Sequence, residues 1–332
     1  MIRVCACFMV ILLHAAAGYW YEFSPRWNAA NFYDSFTRSC VPLFMMMSGA
    51  LLTRKAASEP LPVFLKKRVC RILCPLLFWS FLSSAAYIIV KGKPFLHIAI
   101  KMITTSGFYH LWYLYALVGL YPLLPIVGKW YCNTDRSCLK FYIYVWVAVC
   151  AVMSAQDILN LFSSKAANII SLYNLSEFTS YIGYFVLGAY LFESKSQRSK
   201  RKICFAGILT FIISGALIVG CTYFLSHYLN EPSGVFYNYR SPLVIISSAS
   251  LFTALLSCTI SDKYKFIVTF LSDNSFGIYC IHAFILFIMA KIKFMFCENI
   301  WLNIPITAIF VFCISLILTV IMRKIPYLHK AV

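Results

Sequence analysis

Arg3-Val-Cys-Ala-Cys-Phe-Met-Val-Ile-Leu-Leu-His14 is the stretch that decides the fold: one arginine, ten residues without a charge or an amide, and one histidine. At 100° per residue, the eleven steps from Arg3 to His14 pass three full turns by about 20°. Both side chains therefore share one helical face, roughly 16 Å apart along its axis. In a helix that starts at a membrane surface, the cation sits at the interface and the imidazole near the middle of the hydrocarbon. A histidine at that depth is costly and marks a functional site by default.

The surroundings of this stretch support a membrane setting. The 332 residues are 61% hydrophobic and 12% charged, with a mean hydropathy of +0.79, whereas soluble chains carry about a quarter charged residues. Ten spans are expected, at 2–20, 35–53, 69–90, 111–128, 141–158, 176–192, 203–225, 241–260, 274–290 and 301–322. With a cytoplasmic N-terminus, twenty of the 29 Lys and Arg fall on the inner side. By the positive-inside rule both termini are then cytoplasmic. The net charge of +18 thus reflects topology and not a nucleic-acid surface. The fourteen cysteines lie mostly within spans as small apolar residues, and no C-x-x-C or His/Cys ligand spacing suggests a metal. With no appended soluble domain, linker or repeat, residues 1–332 read as one all-α, polytopic membrane domain.

The first span has a rival reading. Arg3, the apolar core and Ala15-Ala16-Ala17-Gly18 also have the form of a signal peptide, although nine spans follow and the core holds a histidine. Tyr19, Trp20 and Tyr21 suit an outer aromatic belt, followed by a polar outer loop, Glu22–Asp34. The second span opens at Arg38 and reads R-SC-VPLFMMMSGALL. Pro42 should kink it, and Ser48-Gly49 should admit a neighbouring backbone. Arg38 either snorkels or presents a cation beside a reaction centre.

Residues 54–71 form the richest basic segment. Lys67 and Arg71 are i, i+4 and Arg68 and Arg71 are i, i+3, so they share a face. The segment serves as a topological stop that touches anionic headgroups of membrane lipids, or it holds a phosphate-bearing cytoplasmic substrate. A short surface helix is expected at Phe95–Ile103. Beyond it His110 and Trp112 read as interfacial residues, where the chain re-enters from outside. Gly183 and Gly188 suit tight packing of the sixth span. His282 is placed two turns inside the cytoplasmic end of the ninth, where it has only to find a hydrogen bond on a neighbouring helix.

Several stretches together resemble the integral-membrane acyltransferase-3 family, which O-acylates cell-surface glycans and related molecules. They are R-x10-H in the first span, R-xx-VPLF-xxx-SG in the second and K-K-R-xx-R at the start of the third. Y-H-L-W-Y-L-Y-A-L-x-G-L-Y in the fourth and S-F-G-I-Y-x-I-H in the ninth complete the set. The nearest in character is the short, single-domain type related to enterobacterial common antigen O-acetyltransferase. The resemblance departs at one point. Members ordinarily have a short polar stretch before the first arginine, and here only Met1 and Ile2 precede Arg3, which suggests a late start or a truncated chain.

The resemblance implies a multi-pass protein of the bacterial inner membrane. It uses acyl-CoA, in the nearest type acetyl-CoA, as a cytoplasmic co-substrate with no permanently bound cofactor. The acceptor is a hydroxyl of a glycan or lipid-linked glycan near the outer side. On that reading Arg3, Lys67, Arg68 and Arg71 hold the donor phosphates. His14 acts as general base, preferred to an acyl-histidine because no carboxylate is seen nearby to orient it. Arg38, Ser48, His110, Trp112 and His282 are candidates for the acceptor site or the oxyanion. The competing class is a transporter or flippase for a polar or glycan solute. Against it stand the absence of repeat symmetry and of an acidic residue centred in a span.

Overall fold

The first helix, α1 (Ile2–Ala17), packs against α2 (Pro25–Thr37), α3 (Cys40–Ser58) and two helices from the far end of the chain, α11 (Asp262–Lys291) and α12 (Ile300–Lys324). Its apolar run is the hub of the bundle. Ala6, Ile11 and Ala16 are fully enclosed, and the Cys7 thiol reaches the Ser275 carbonyl of α11 at 3.4 Å. The structure, a computed structural model, describes residues 1–91, 108–162, 181–194 and 200–332, with backbone alone over 86–91.

The other described helices are α4 (Leu61–Lys91), α5 (Trp112–Leu120), α6 (Leu124–Asn133), α7 (Arg136–Phe162), α8 (Ile182–Glu193), α9 (Lys200–Leu229) and α10 (Pro242–Ser257). All regular elements among the described residues are helical, and seven segments are long and apolar enough to cross a membrane. The protein is thus an all-α polytopic membrane protein, as expected. The expected surface helix at Phe95–Ile103 and the start of the sixth span lie outside the described residues.

Three boundaries differ from expectation, each for a local reason. The supposed outer loop Glu22–Asp34 holds α2, which begins on Ser24-Pro25 with proline in its first turn, where its missing N–H costs nothing. Pro42 does not kink α3 internally. It lies in the first turn of α3, and because it cannot bond the carbonyl four residues back, the helix is interrupted at Arg38-Ser39, dividing α2 from α3. The ninth span, expected from 274, is α11, which starts at Asp262 on a Ser261 N-cap with a carboxylate favourably placed in its first turn. Its polar residues Ser272 and Asp273 face a cavity and not lipid, so they do not end the helix.

Glycines set a close contact between α3 and α8. A Cβ on Gly49 would lie 2.0 Å from the Phe185 carbonyl oxygen, and one on Gly188 would lie 2.1 Å from that of Met46. Backbone meets backbone at both points, as the glycine spacing implied. On the other side of the molecule α9 is lipid-like, with Phe205, Ile213, Leu217 and Phe224 exposed.

Candidate active site

Three histidines from distant parts of the chain meet. His14 lies in the last turn of α1. His110 lies in a short 3-10 turn, Tyr109–Leu111, and His282 is twenty residues into α11, roughly 30 Å from its start. The rings of His14 and His282 stack with centroids 5.4 Å apart and planes 21° from parallel. Those of His110 and His282 meet edge to face at 4.9 Å, and Tyr109 covers His14 at 4.6 Å. The expectation that His282 sits two turns inside the cytoplasmic end is corrected, whereas His110 does stand at the start of a span, Tyr109–Asn133, with its ring buried. The early start of α11 carries His282 deep into the bundle, and the 3-10 turn places His110 beside it.

Hydrogen bonding fixes part of this cluster. His282 Nδ1 is 2.5 Å from the Tyr279 carbonyl. A carbonyl can only accept, so Nδ1 carries the proton and Nε2 keeps the lone pair. The Tyr279 hydroxyl donates to the His110 carbonyl. His110 is 1% exposed and His282 0%. The His110 ring approaches the Cys280 backbone, yet neither of its nitrogens, nor His282 Nε2, completes a hydrogen bond of ordinary geometry. Buried imidazoles left so are expensive. By contrast His14 is only half-buried and is the least enclosed of the three. Among the described residues no three His, Cys, Asp or Glu side chains gather as metal ligands would.

Below the cluster a cavity of about 910 Å³ is lined by Arg3, Arg68, Arg71, Arg323 and Lys330, with Asp273 as its one acidic side chain and Val332 also in its wall. Tyr279, which bonds the His110 backbone, belongs to its wall, so this one side chain stands between the cavity and the histidines. Guanidinium groups are the natural partners of phosphate. The basic cluster expected at the start of the third span divides here. Arg68 and Arg71 line the cavity, whereas Lys67 lies 3.4 Å from Glu59 and points to solvent with 57% of its side chain exposed. Ser48, expected on the acceptor side, lines this cavity too, because α3 runs away from Arg38 and carries it two to three turns along.

At the other end a second cavity, of about 370 Å³, is lined by Ala17, Trp20, Asp34, Arg38, Tyr237 and Tyr239, among others. Arg38 is held from two sides, by Asp34 at 2.5 Å and by the Tyr237 ring face 4.4 Å from its guanidinium carbon. Trp112 stacks on Tyr239 at 5.9 Å and 24°, which ties the fourth span to this pocket. Asp34, 3% exposed, is a buried carboxylate in a stretch that was expected to be an outer loop. It is committed to Arg38, one helical turn on, and Arg38 in turn acts electrostatically on His14. The i, i+4 spacing of Asp34 and Arg38 was the signal that could have revealed it.

A helical membrane bundle with a cationic cavity at one end, a polar and aromatic cavity at the other and imidazoles between them is built for group transfer between two separated ligands. The chain belongs to the acyltransferase-3 family: the family model, described as an acyltransferase domain, matches residues 1–324. The match identifies the family as a whole and does not single out the short O-acetyltransferase type. Neither the curated proteins nor the solved structures contain a match to the chain. The protein is a membrane acyltransferase.

Proposed function

We propose that this acyltransferase moves an acyl group, in the simplest case acetyl, from cytoplasmic acyl-CoA to a hydroxyl of a cell-surface glycan or its lipid-linked precursor. The single observation carrying the proposal is the layout of α1. Arg3 at one end of this helix lines the cationic cavity, Ala17 at the other lines the polar-aromatic one, and His14 lies between. In this reading both termini face the cytoplasm, the spans number ten, and the membrane is the bacterial inner membrane. The donor phosphates rest among Arg3, Arg68 and Arg71, and the pantetheine arm, on the order of 15–20 Å long, matches the rise from Arg3 to His14.

His14 then takes the proton of the acceptor hydroxyl as its oxygen attacks the thioester carbon. The tetrahedral oxyanion collapses, the C–S bond breaks, and CoA leaves as thiolate, to be protonated by the imidazolium or by water. Arg38 holds the sugar or steadies the oxyanion, and the surrounding Tyr and Trp faces suit a sugar ring. General-base action is preferred to an acyl-histidine because the buried carboxylate Asp34 is engaged by Arg38, and among the described residues no carboxylate hydrogen-bonds His14 to orient it. The glutamine substitution at His14, argued in the Discussion, is the test. Label from radiolabelled acetyl-CoA should enter lipid-linked glycan in membranes holding the protein. Its failure to do so would remove this reading.

A further inference from the structure

Residues 325–332 lie beyond the part of the chain that matches the family model, yet they are built into the cationic cavity. After α12 the chain turns at Tyr327, whose φ of 70° is an unusual conformation for a residue with a side chain. It then forms a 3-10 turn, Leu328–Ala331, packed on α4 and α12. Two contacts fasten it. The indole N–H of Trp79, buried in α4, donates to the Ala331 carbonyl at 2.9 Å. Val332 sits over Gly277 of α11, where an added Cβ would come within 3.0 Å of the Val332 Cβ. A terminal segment ordinarily frays unless it is tied down, and this one is tied on two sides.

With Ala331 fixed inward, His329 and Lys330 remain exposed and form part of the cavity wall, together with Arg3, Arg68, Arg71 and Arg323. The cavity thus gathers cations from α1, α4, α12 and this segment. Its side chains include no Asp or Glu, and the one negative charge it brings to the cavity is the main-chain carboxylate of Val332.

We propose that residues 325–332 form a wall of the donor site, with Lys330 and His329 contacting the phosphates of the acyl-CoA. The inference rests on the donor reading given under Proposed function. Lys330 supplies a point charge and His329 a hydrogen-bond donor. Both act on binding and not on the transfer step, because none of His14, His110 and His282 is in the cavity wall that these two residues share.

The test uses purified full-length protein in detergent, with CoA as the probe and thermal stabilisation as the readout. Donor KM and kcat are measured in membranes alongside. The two residues are exposed, so His329→Gln/Lys330→Gln should fold normally. It should bind CoA about fivefold more weakly, the scale of one solvent-exposed charge-assisted contact, with kcat unchanged. Lys324→Gln, a neighbouring cation that does not line the cavity, should bind CoA as the wild type does. A wild type that CoA fails to stabilise would overturn the donor reading and this inference together. Normal CoA binding by the double variant, with a responsive wild type, would overturn this inference alone. So would tighter binding, which would make the segment a competitor of the ligand, or an equal loss in Lys324→Gln, which would reduce the effect to general charge.

Discussion

His14 and His282 stack face to face, 5.4 Å between centroids, although 268 residues separate them in the chain. Two imidazoles so close cannot both be charged without mutual repulsion. His282, whose Nδ1 proton is held by the Tyr279 carbonyl, also fixes the plane against which His14 rests. On the proposed reading His14 is the base and His282 its support. His14→Gln, which keeps size and a hydrogen-bonding amide, should lower acyl transfer about 10²- to 10⁴-fold at matched membrane abundance, as loss of a general base does. Near-normal transfer by this variant would end the general-base assignment.

The division of the basic segment gives a sharper expectation than its composition did. Arg68→Gln and Arg71→Gln should each raise the donor KM with little change in protein level, because both side chains line the cationic cavity. Lys67→Gln should leave it unchanged, since Lys67 faces Glu59 and solvent. Steady-state kinetics over a range of acyl-CoA concentrations separate these cases, and equal effects at all three positions would return the segment to a topological role.

Asp34 and Arg38 form a pair whose halves are worth less apart. Asp34→Ala leaves the guanidinium without its carboxylate, at a cost of about 3–5 kcal/mol in fully buried settings and less here, where Arg38 opens onto a cavity. The single variant should accumulate less well and melt lower than the double variant Asp34→Asn/Arg38→Gln, while both lose transfer. Thermal melts of the purified variants decide the order.

The glycine seam makes a purely structural prediction. Gly49→Ala places a methyl group where the Phe185 carbonyl already lies, and overpacking of this kind costs about 1–3 kcal/mol or more. Gly220→Ala, within α9 and with no heavy atom inside 4 Å of the added carbon, should be neutral or slightly stabilising, since alanine is the better helix former. Melting temperatures of the two variants should fall on opposite sides of the wild type or nearly so.

Sidedness can be read chemically. In a cysteine-depleted background, Arg26→Cys, exposed in the first turn of α2, should react with an impermeant reagent added outside. Arg201→Cys, exposed at the start of α9, should react only from the cytoplasmic face. The opposite pattern at both positions would invert the topology, and the direction of transfer with it.

What the sequence made legible was local. Arg3 and His14 share a helix, so their spacing alone places them on one face, and Gly49 and Gly188 advertise a close approach through their missing side chains. The gathering of His14, His110 and His282 is tertiary. No spacing within one helix encodes it, and each of the latter two looks ordinary in its own segment. Asp34 was hidden differently. The polar composition of Glu22–Asp34 reads as a loop, even though Ser24-Pro25 is a helix start in plain view and Asp34 stands one turn before Arg38. The segment after α12 was counted only as positive charge for topology, because its role depends on Trp79 and Gly277, neither of which is near it in sequence.

The two cavities at the ends of α1 exist together in one conformation of the chain, and this has a kinetic meaning. Neither ligand has to depart before the other can arrive, as it would in a molecule that exposed its two sides by turns. A transferase so arranged passes its cargo within a complex of three. Initial rates measured against both substrates should accordingly give intersecting reciprocal plots and not the parallel lines of a stepwise exchange.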